Sequence, residues 1–432
     1  STLASSSAAS DVYKRQAAGR PAERSAAGAT LAAGAPAGAG HSVGATASSS
    51  TPGARASVVS LIDCVNARDA ICAAAAFQNR ASPVMTGALV FVLALGARTG
   101  LLRSGARRLA TRASAVRASD SDFDGYSAAC PFLFPGQGAQ ALGMGVDACA
   151  TVPAAKRLFE QASEVLGYDL LAKCKDGPKE ALDSTVISQP AIFVASLAAV
   201  EKLRAERGDA VVDGATVAAG LSLGEYTALA FAGAFSFADG VRIVKARGEA
   251  MQAAADASSS GMVSVIGLSQ DRVEMLCEKA SELSGAKVQL ANLLCNGNYA
   301  VSGALDACTK VTEIAKPDFG ARMTVRLAVA GAFHTDFMAP AVPRLVEVLD
   351  TVTIVKPRIA VISNVDAAPH SDPAVIKQLL ARQVTSPVQW ETTVGRLIDR
   401  GMKEGYELGP GMVLAGIIKR IDKGVAITNV EV

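Results

Sequence analysis

The sequence predicts an α/β fold: a mostly parallel sheet covered by helices, with a small βαββαβ domain inserted into it. Three observations predict it. Short apolar runs alternate with helical stretches through residues 130–257, the order changes to β-α-β-β-α-β after Ser258-Ser259-Ser260-Gly261, and strand-then-helix alternation returns beyond residue 329. The chain therefore divides into a leader over 1–125, a large α/β domain in two parts over 126–257 and 329–432, and a ferredoxin-like small domain over 258–328.

Phe132-Leu133-Phe134 is a short apolar strand running into Pro135-Gly136-Gln137-Gly138-Ala139-Gln140, whose glycines let backbone N–H groups approach a ligand. That loop lacks the Gly-Lys-Ser/Thr ending and the full dinucleotide pattern, which argues against nucleotide binding. Helices are expected over 154–166 and, after the start signal Ser188-Gln189-Pro190, over 189–204. Residues 215–219 read as a buried strand, 223–231 as a helix, and 238–257 as a helix carrying Arg242, Lys245 and Arg247. In the small domain, strands are expected at 262–268, 287–291, 299–302 and 322–329, with helices at 271–283 and 306–315. A strand at 359–365, a helix at 374–383, a strand into Gly409-Pro410-Gly411 and a helix at 413–421 complete the body.

The chemistry centres on Gly220-Leu221-Ser222-Leu223-Gly224, a G-x-S-x-G pentapeptide between the strand at 215–219 and the helix at 223–231. A serine on such a sharp turn projects its Oγ away from the sheet, beside the positive end of the following helix. It needs a base, and the chain holds three histidines. His41 lies in the Ala/Gly/Ser-rich leader, and His370 sits in a proline-bracketed segment that reads as an exposed loop. His334 follows the alternating pattern at 324–329, where a strand end presents catalytic side chains, and is the candidate general base. Asp336 or Asp366 can orient it; residue pattern alone identifies neither.

Charge is uneven along the chain. Residues 1–119 carry thirteen basic residues against four acids, so with a whole-chain charge of +2 the remainder is at −7, which argues against nucleic acid as partner. No methionine precedes Met85. From there, an apolar run at 88–95 too short to span a bilayer leads into Arg98, Arg103, Arg107, Arg108, Arg112 and Arg117, with no acid before Asp120. This resembles a signal-type segment joined to an arginine-rich transit peptide, predicting a plastid with a mitochondrion as the alternative and a leader that is disordered or removed. The stretch SSAASDVYKRQ at 6–16 fits neither and reads as translated library sequence. The eight cysteines show no C-x-x-C pair and no metal-ligand spacing, and read as buried hydrophobes of a reducing compartment.

With FPGQGAQ at 134–140, SQP at 188–190, GLSLGEYTAL at 220–229, ARGEAMQ at 246–252, GAFH at 331–334, PVQW at 387–390 and LGPG at 408–411, the body resembles the malonyl-CoA:acyl-carrier-protein transacylases over about residues 130–425. The resemblance implies a hydrolase-like large domain and gives the motifs roles. Ser222 becomes the nucleophile toward the malonyl thioester and His334 the base, oriented by the main-chain carbonyl of Gln383. The N–H groups of Gln137 and Leu223 become the oxyanion donors. Arg247 becomes the clamp for the malonyl carboxylate, since a guanidinium fork offers that group two parallel hydrogen bonds and offers acetyl none. Gln189, Met251 and Phe333 become pocket residues, Phe333 leaving little room for an α-methyl group. The implied partners are malonyl-CoA and an acidic acyl carrier protein met by Arg322, Lys419 and Arg420. No metal or redox cofactor is implied, because one thioester is exchanged for another, and no membrane partner is expected. Leu221 stands where many members have histidine, a form similar to plastid members. An acyltransferase of polyketide synthesis, a lipase-like or thioesterase-like hydrolase, and a non-catalytic docking module are the competing readings. No convincing acid between Ser222 and His334 completes the Ser, Asp, His order of a lipase, which would also have no use for Arg247.

Overall fold

A computed structural model describes residues 121–432. The leader up to residue 120, with His41, Met85 and the arginine run, lies outside the described residues. Residues 121–125, assigned above to the leader, belong to the fold: Phe123 is buried, Lys356 pairs with Asp122, and Arg400 donates to the Asp124 carbonyl.

Five parallel strands make the main sheet in the order β7-β2-β1-β8-β9, with β1 Phe132–Phe134, β2 Val217–Gly220, β7 Ala360–Ile362, β8 Glu404–Leu408 and β9 Ala426–Val430. Side chains alternate across a strand, so one strand feeds two cores. Phe132 and Phe134 pack into one hydrophobic cluster with the helices Pro153–Leu166, Thr185–Arg207 and Phe237–Asp256, whereas Leu133, Val217 and Ala219 pack into a second with Trp390, Leu414 and Ile418. Helices thus cover both faces.

The second sheet has the order β4-β5-β3-β6, antiparallel throughout, with β3 Ser260–Ile266, β4 Val288–Cys295, β5 Asn298–Ala304 and β6 Met323–Arg326. Helices Gln270–Ser284 and Leu305–Ile314 fall between strands in βαββαβ order and close a separate core around Val263, Leu276 and Val311. Its edge strand β4 is tied to the PVQW segment: Leu293 N–H donates to the Val388 carbonyl at 3.0 Å and Val388 N–H to the Ala291 carbonyl at 2.8 Å.

Three expectations are corrected. The helix expected from Gln189 begins at Thr185, so Pro190 lies inside it rather than at its start. Tertiary contact holds the added turn: a Cβ on Gly248 would lie 2.7 Å from the Thr185 carbonyl oxygen, and Gln252 accepts the Thr185 N–H at 3.3 Å. This helix is long and apolar enough to cross a membrane, but 72% of its most apolar window is buried inside the fold. The strand expected to run to Val329 ends at Arg326, and residues 327–334 continue without regular structure, since β6 pairs with β3 only as far as Arg326 opposite Val263. His370, expected on an exposed loop, is buried, with Nε2 at 2.9 Å from Asp366 Oδ2.

Candidate active site

Ser222 occupies a turn that few side chains tolerate. It is the N-cap of the helix Leu223–Phe231, with φ 52° and ψ −104°. Both glycines of the pentapeptide are sterically required: a Cβ on Gly220 would lie 1.9 Å from the Gly224 carbonyl carbon, and one on Gly224 would lie 2.1 Å from the Phe134 carbonyl oxygen. The strain is held by Asn364, just beyond β7. Its Oδ1 accepts the Ser222 N–H at 2.6 Å and its Nδ2 donates to the Gly220 carbonyl at 2.7 Å. Nothing in the sequence marks Asn364, which falls inside the strand expected over 359–365; the shorter observed strand, Ala360–Ile362, leaves it in the turn beyond.

His334 also has a positive φ, 61°, making it and Ser222 two of the three non-glycine residues with that geometry among the described residues. Such backbone costs about 1–3 kcal/mol and persists where its surroundings impose it. Ser222 Oγ lies 2.8 Å from His334 Nε2, and His334 Nδ1 lies 3.0 Å from the Gln383 carbonyl. A carbonyl only accepts, so Nδ1 carries the proton and Nε2 is the acceptor for the serine hydroxyl. Burial, reinforced by the nearby Arg247 charge, pushes the imidazole down to about 4, so it is neutral and able to take a proton near pH 7. Neither aspartate weighed from sequence orients it: Asp336 pairs with Lys287, and Asp366 holds His370.

Arg247, from the helix Phe237–Asp256, is 1% exposed yet reaches the serine. Its Nη1 donates to Gln189 Oε1 at 2.8 Å, and its Nη2 donates to Gln383 Oε1 at 2.9 Å and Ser222 Oγ at 3.1 Å. Its guanidinium carbon stands 4.9 Å from the centre of the Tyr226 ring, and Nε has no partner among the described residues. Every hydrogen-bond acceptor is neutral, and burial lowers its pKa, so the cation is poised for an incoming anion. Gln189 Nε2 in turn contacts Met251 Sδ at 3.6 Å; Met251 is buried, as is Phe333, which directly precedes His334.

Gln137 lies on the loop after β1, which is drawn to the nucleophile turn. The Leu221 N–H donates to the Phe134 carbonyl at 3.0 Å, and a Cβ on Gly136 would fall 2.3 Å from the Leu221 carbonyl oxygen. Leu223 opens its helix, so its N–H has no intrahelical carbonyl. Arg322, Lys419 and Arg420 are exposed, unlike the buried His334 and Arg247. Burial raises the Cys295 thiol and Arg420 opposes that shift, which places Arg420 against the end of β4. Arg322 directly precedes β6, and the pairing of Cys295 with Asn298, Asn298 with Ile266 and Ile266 with Met323 puts both arginines at one end of the small sheet.

A further buried group joins the site. Glu225 Oε2 accepts from the Asn364 N–H at 3.0 Å and from Gln383 Nε2 at 2.5 Å. Burial pushes its carboxyl up to about 7. Its place inside GLSLGEY was visible in the sequence; its partners, more than a hundred residues away, were not.

A strained serine on a strand-to-helix turn, bonded to a neutral histidine beside a buried cation, defines an α/β acyltransferase of the serine-nucleophile type. The acyl transferase domain family matches residues 131–428. The chain is 46% identical over 298 residues to the mitochondrial malonyl-CoA-acyl carrier protein transacylase of Mus musculus, covering 66% of this chain and 77% of that protein. It is 41% identical to the malonyl CoA-acyl carrier protein transacylase of Bacillus subtilis, covering 69% of this chain and 93% of that one. Among solved structures, the malonyl CoA-acyl carrier protein transacylase of Coxiella burnetii superposes with a TM-score of 0.67 at 37% identity over 71% of this chain and 94% of its own. A malonyl-transacylase solved with a type II polyketide synthase acyl-carrier protein superposes with a TM-score of 0.66 at 34% identity, over 70% of this chain and 95% of its own. The chain belongs to the malonyl-CoA-acyl carrier protein transacylase family.

Proposed function

We propose that this protein moves a malonyl group from malonyl-CoA to the phosphopantetheine thiol of an acyl carrier protein, through a malonyl ester on Ser222. The single observation that carries the reading is the convergence of His334 Nε2 and Arg247 Nη2 on Ser222 Oγ, at 2.8 and 3.1 Å. Ser222 Oγ attacks the thioester carbon as its proton passes to His334 Nε2, and the carbonyl oxygen becomes an oxyanion between the Gln137 and Leu223 N–H groups. Each such donor is worth about 3 kcal/mol in other acyl-transfer enzymes. The tetrahedral species collapses, the C–S bond breaks, and the proton on His334 goes to the departing CoA sulfur. The carrier thiol then attacks the ester, giving its proton to His334, and Ser222 leaves with that proton restored. Electron pairs and protons balance over the two halves, so the exchange calls on no cofactor.

Arg247 binds the malonyl carboxylate, Gln189 and Gln383 hold the guanidinium, and Phe333 and Met251 shape the acyl pocket. Arg322, Lys419 and Arg420 meet the acidic carrier. Fatty-acid synthesis is the pathway that the family resemblance implies; the neighbour solved with a type II polyketide synthase carrier supports a polyketide carrier as the second reading. The Mus musculus and Homo sapiens relatives are mitochondrial by name, which supports a mitochondrial site; the plastid reading rests on the leader and on Leu221 before the nucleophile.

The test is intact-mass spectrometry of the protein mixed with malonyl-CoA and then with a holo acyl carrier protein. A malonyl adduct that moves to the carrier is expected. An adduct lost to water regardless of carrier would make the protein a hydrolase, and no adduct would overturn the reading.

A further inference from the structure

Arg247 is buried among neutral acceptors, and the nearest carboxylate linked to it by hydrogen bonds stands one side chain away. Gln383 forms the link. Its Oε1 accepts from Arg247 Nη2 at 2.9 Å, its Nε2 donates to Glu225 Oε2 at 2.5 Å and to the Ser222 carbonyl at 3.0 Å, and its own carbonyl accepts from His334 Nδ1 at 3.0 Å. One residue therefore touches the nucleophile, the base and the cation. An amide side chain has two faces of similar shape and opposite polarity, and what lies around it decides which way it turns. Turned over, Gln383 would point its NH2 at the guanidinium and its oxygen at the Glu225 carboxylate, opposing donor to donor and acceptor to acceptor.

We infer that Glu225 is a positioning residue for substrate choice: by accepting from Gln383 Nε2 it holds the Gln383 oxygen toward Arg247 and so aims the guanidinium at the site of the acyl carboxylate. The inference rests on the proposed malonyl transfer and deepens it. Glu225 is suited to the task because a second donor, the Asn364 N–H, fixes the same Oε2 atom at 3.0 Å. Its carboxyl is pushed up to about 7, so near neutrality it keeps an acceptor oxygen in place whether or not it is charged. A neutral amide oxygen at this position does the same.

The test compares kcat/KM for malonyl-CoA and acetyl-CoA, with one carrier, in the wild type, Glu225→Ala and Glu225→Gln. Their ratio is independent of the fraction of protein folded, which a merely structural role would change. Glu225→Ala is expected to lower the malonyl:acetyl ratio about tenfold or more, because Arg247 loses its aim, while Glu225→Gln keeps the ratio within about threefold of wild type. Should the alanine variant fail to fold, Glu225→Met, of similar length and without a comparable acceptor, carries the same comparison. An unchanged ratio in the alanine or methionine variant, or a glutamine variant with the alanine variant's ratio, overturns the inference. Wild-type malonyl transfer is measured first, so failure of the functional reading appears there and failure of this inference appears only among the variants.

Discussion

Replacing Arg247 by alanine removes a cation that the fold buries to 1% exposure and surrounds with oxygens rather than carboxylates. A malonyl carboxylate entering the site exchanges those neutral acceptors for charged ones. Hydrogen bonds to charged groups contribute about 1.5–3 kcal/mol each, and a guanidinium fork offers two. Part of that gain is offset, because the bonds to Gln189, Gln383 and Ser222 already exist before substrate arrives. A net loss of about 3 kcal/mol remains, equivalent to about a hundredfold in kcat/KM. Acetyl presents no carboxylate, so Arg247→Ala is expected to change acetyl transfer by less than about fivefold, by the same arithmetic. The assay follows thiol release from malonyl-CoA and acetyl-CoA at subsaturating concentrations, with the acyl-enzyme counted by intact mass. Arg247→Lys keeps the charge without the fork and should fall between the two. Equal losses for both acyl groups would refute the carboxylate clamp.

Because His334 is pushed from 6.5 down to about 4, acylation should stay level from pH 8 to about pH 5 and decline below; a rate profile that bends near pH 6.5 would contradict this. Between those two values the unfolded chain binds a proton that the folded chain refuses, so this group's contribution to stability falls as pH drops from 6.5 to about 4, by roughly 3 kcal/mol. Glu225 acts oppositely: raised from 4.5 to about 7, it costs stability as pH rises through that window. Denaturant unfolding of wild type, His334→Ala and Glu225→Gln across this range separates the two. Asn364→Ala leaves the Ser222 N–H and the Gly220 carbonyl without their partner, and should lower stability by about 1–3 kcal/mol and reduce malonyl and acetyl transfer together. A change in the malonyl:acetyl ratio would show that Asn364 does more than hold the turn. Gly224→Ala places a Cβ 2.1 Å from the Phe134 carbonyl oxygen, and should cost about 1–3 kcal/mol or more; an unshifted denaturation midpoint would show that this contact yields freely. Charge reversal at Arg322 and Arg420 should raise KM for an acidic carrier while leaving KM for malonyl-CoA unchanged, and a carrier KM insensitive to both would place docking elsewhere.

What could be read from residues alone was local. The strand-to-helix turn at Ser222 was legible because its glycines, its apolar strand and its helix lie within fifteen residues, and the helix appears at Leu223–Phe231 as expected. The βαββαβ order was legible for the same reason: adjacent strands and helices carry their own periodicity. His334 was found chiefly by elimination among three histidines, and the strand-end argument offered for it fails, since β6 stops at Arg326. Pro190 misplaced a helix start because packing against Gly248 outweighs a local signal.

The environment of the site was decided by tertiary structure alone. A main-chain carbonyl belongs to every residue, so nothing in the composition of Gln383 marks it as the partner of His334; resemblance supplied that pairing, and the 3.0 Å contact is a property of the fold. The link from Arg247 through Gln383 to Glu225, and from Glu225 to Asn364 and the Ser222 turn, joins four segments far apart in the chain. Sequence determined which chemical groups this protein carries and the local turns that present them. Only the folded chain decided their partners, because burial sets how strongly each group needs one and topology sets which group is within reach.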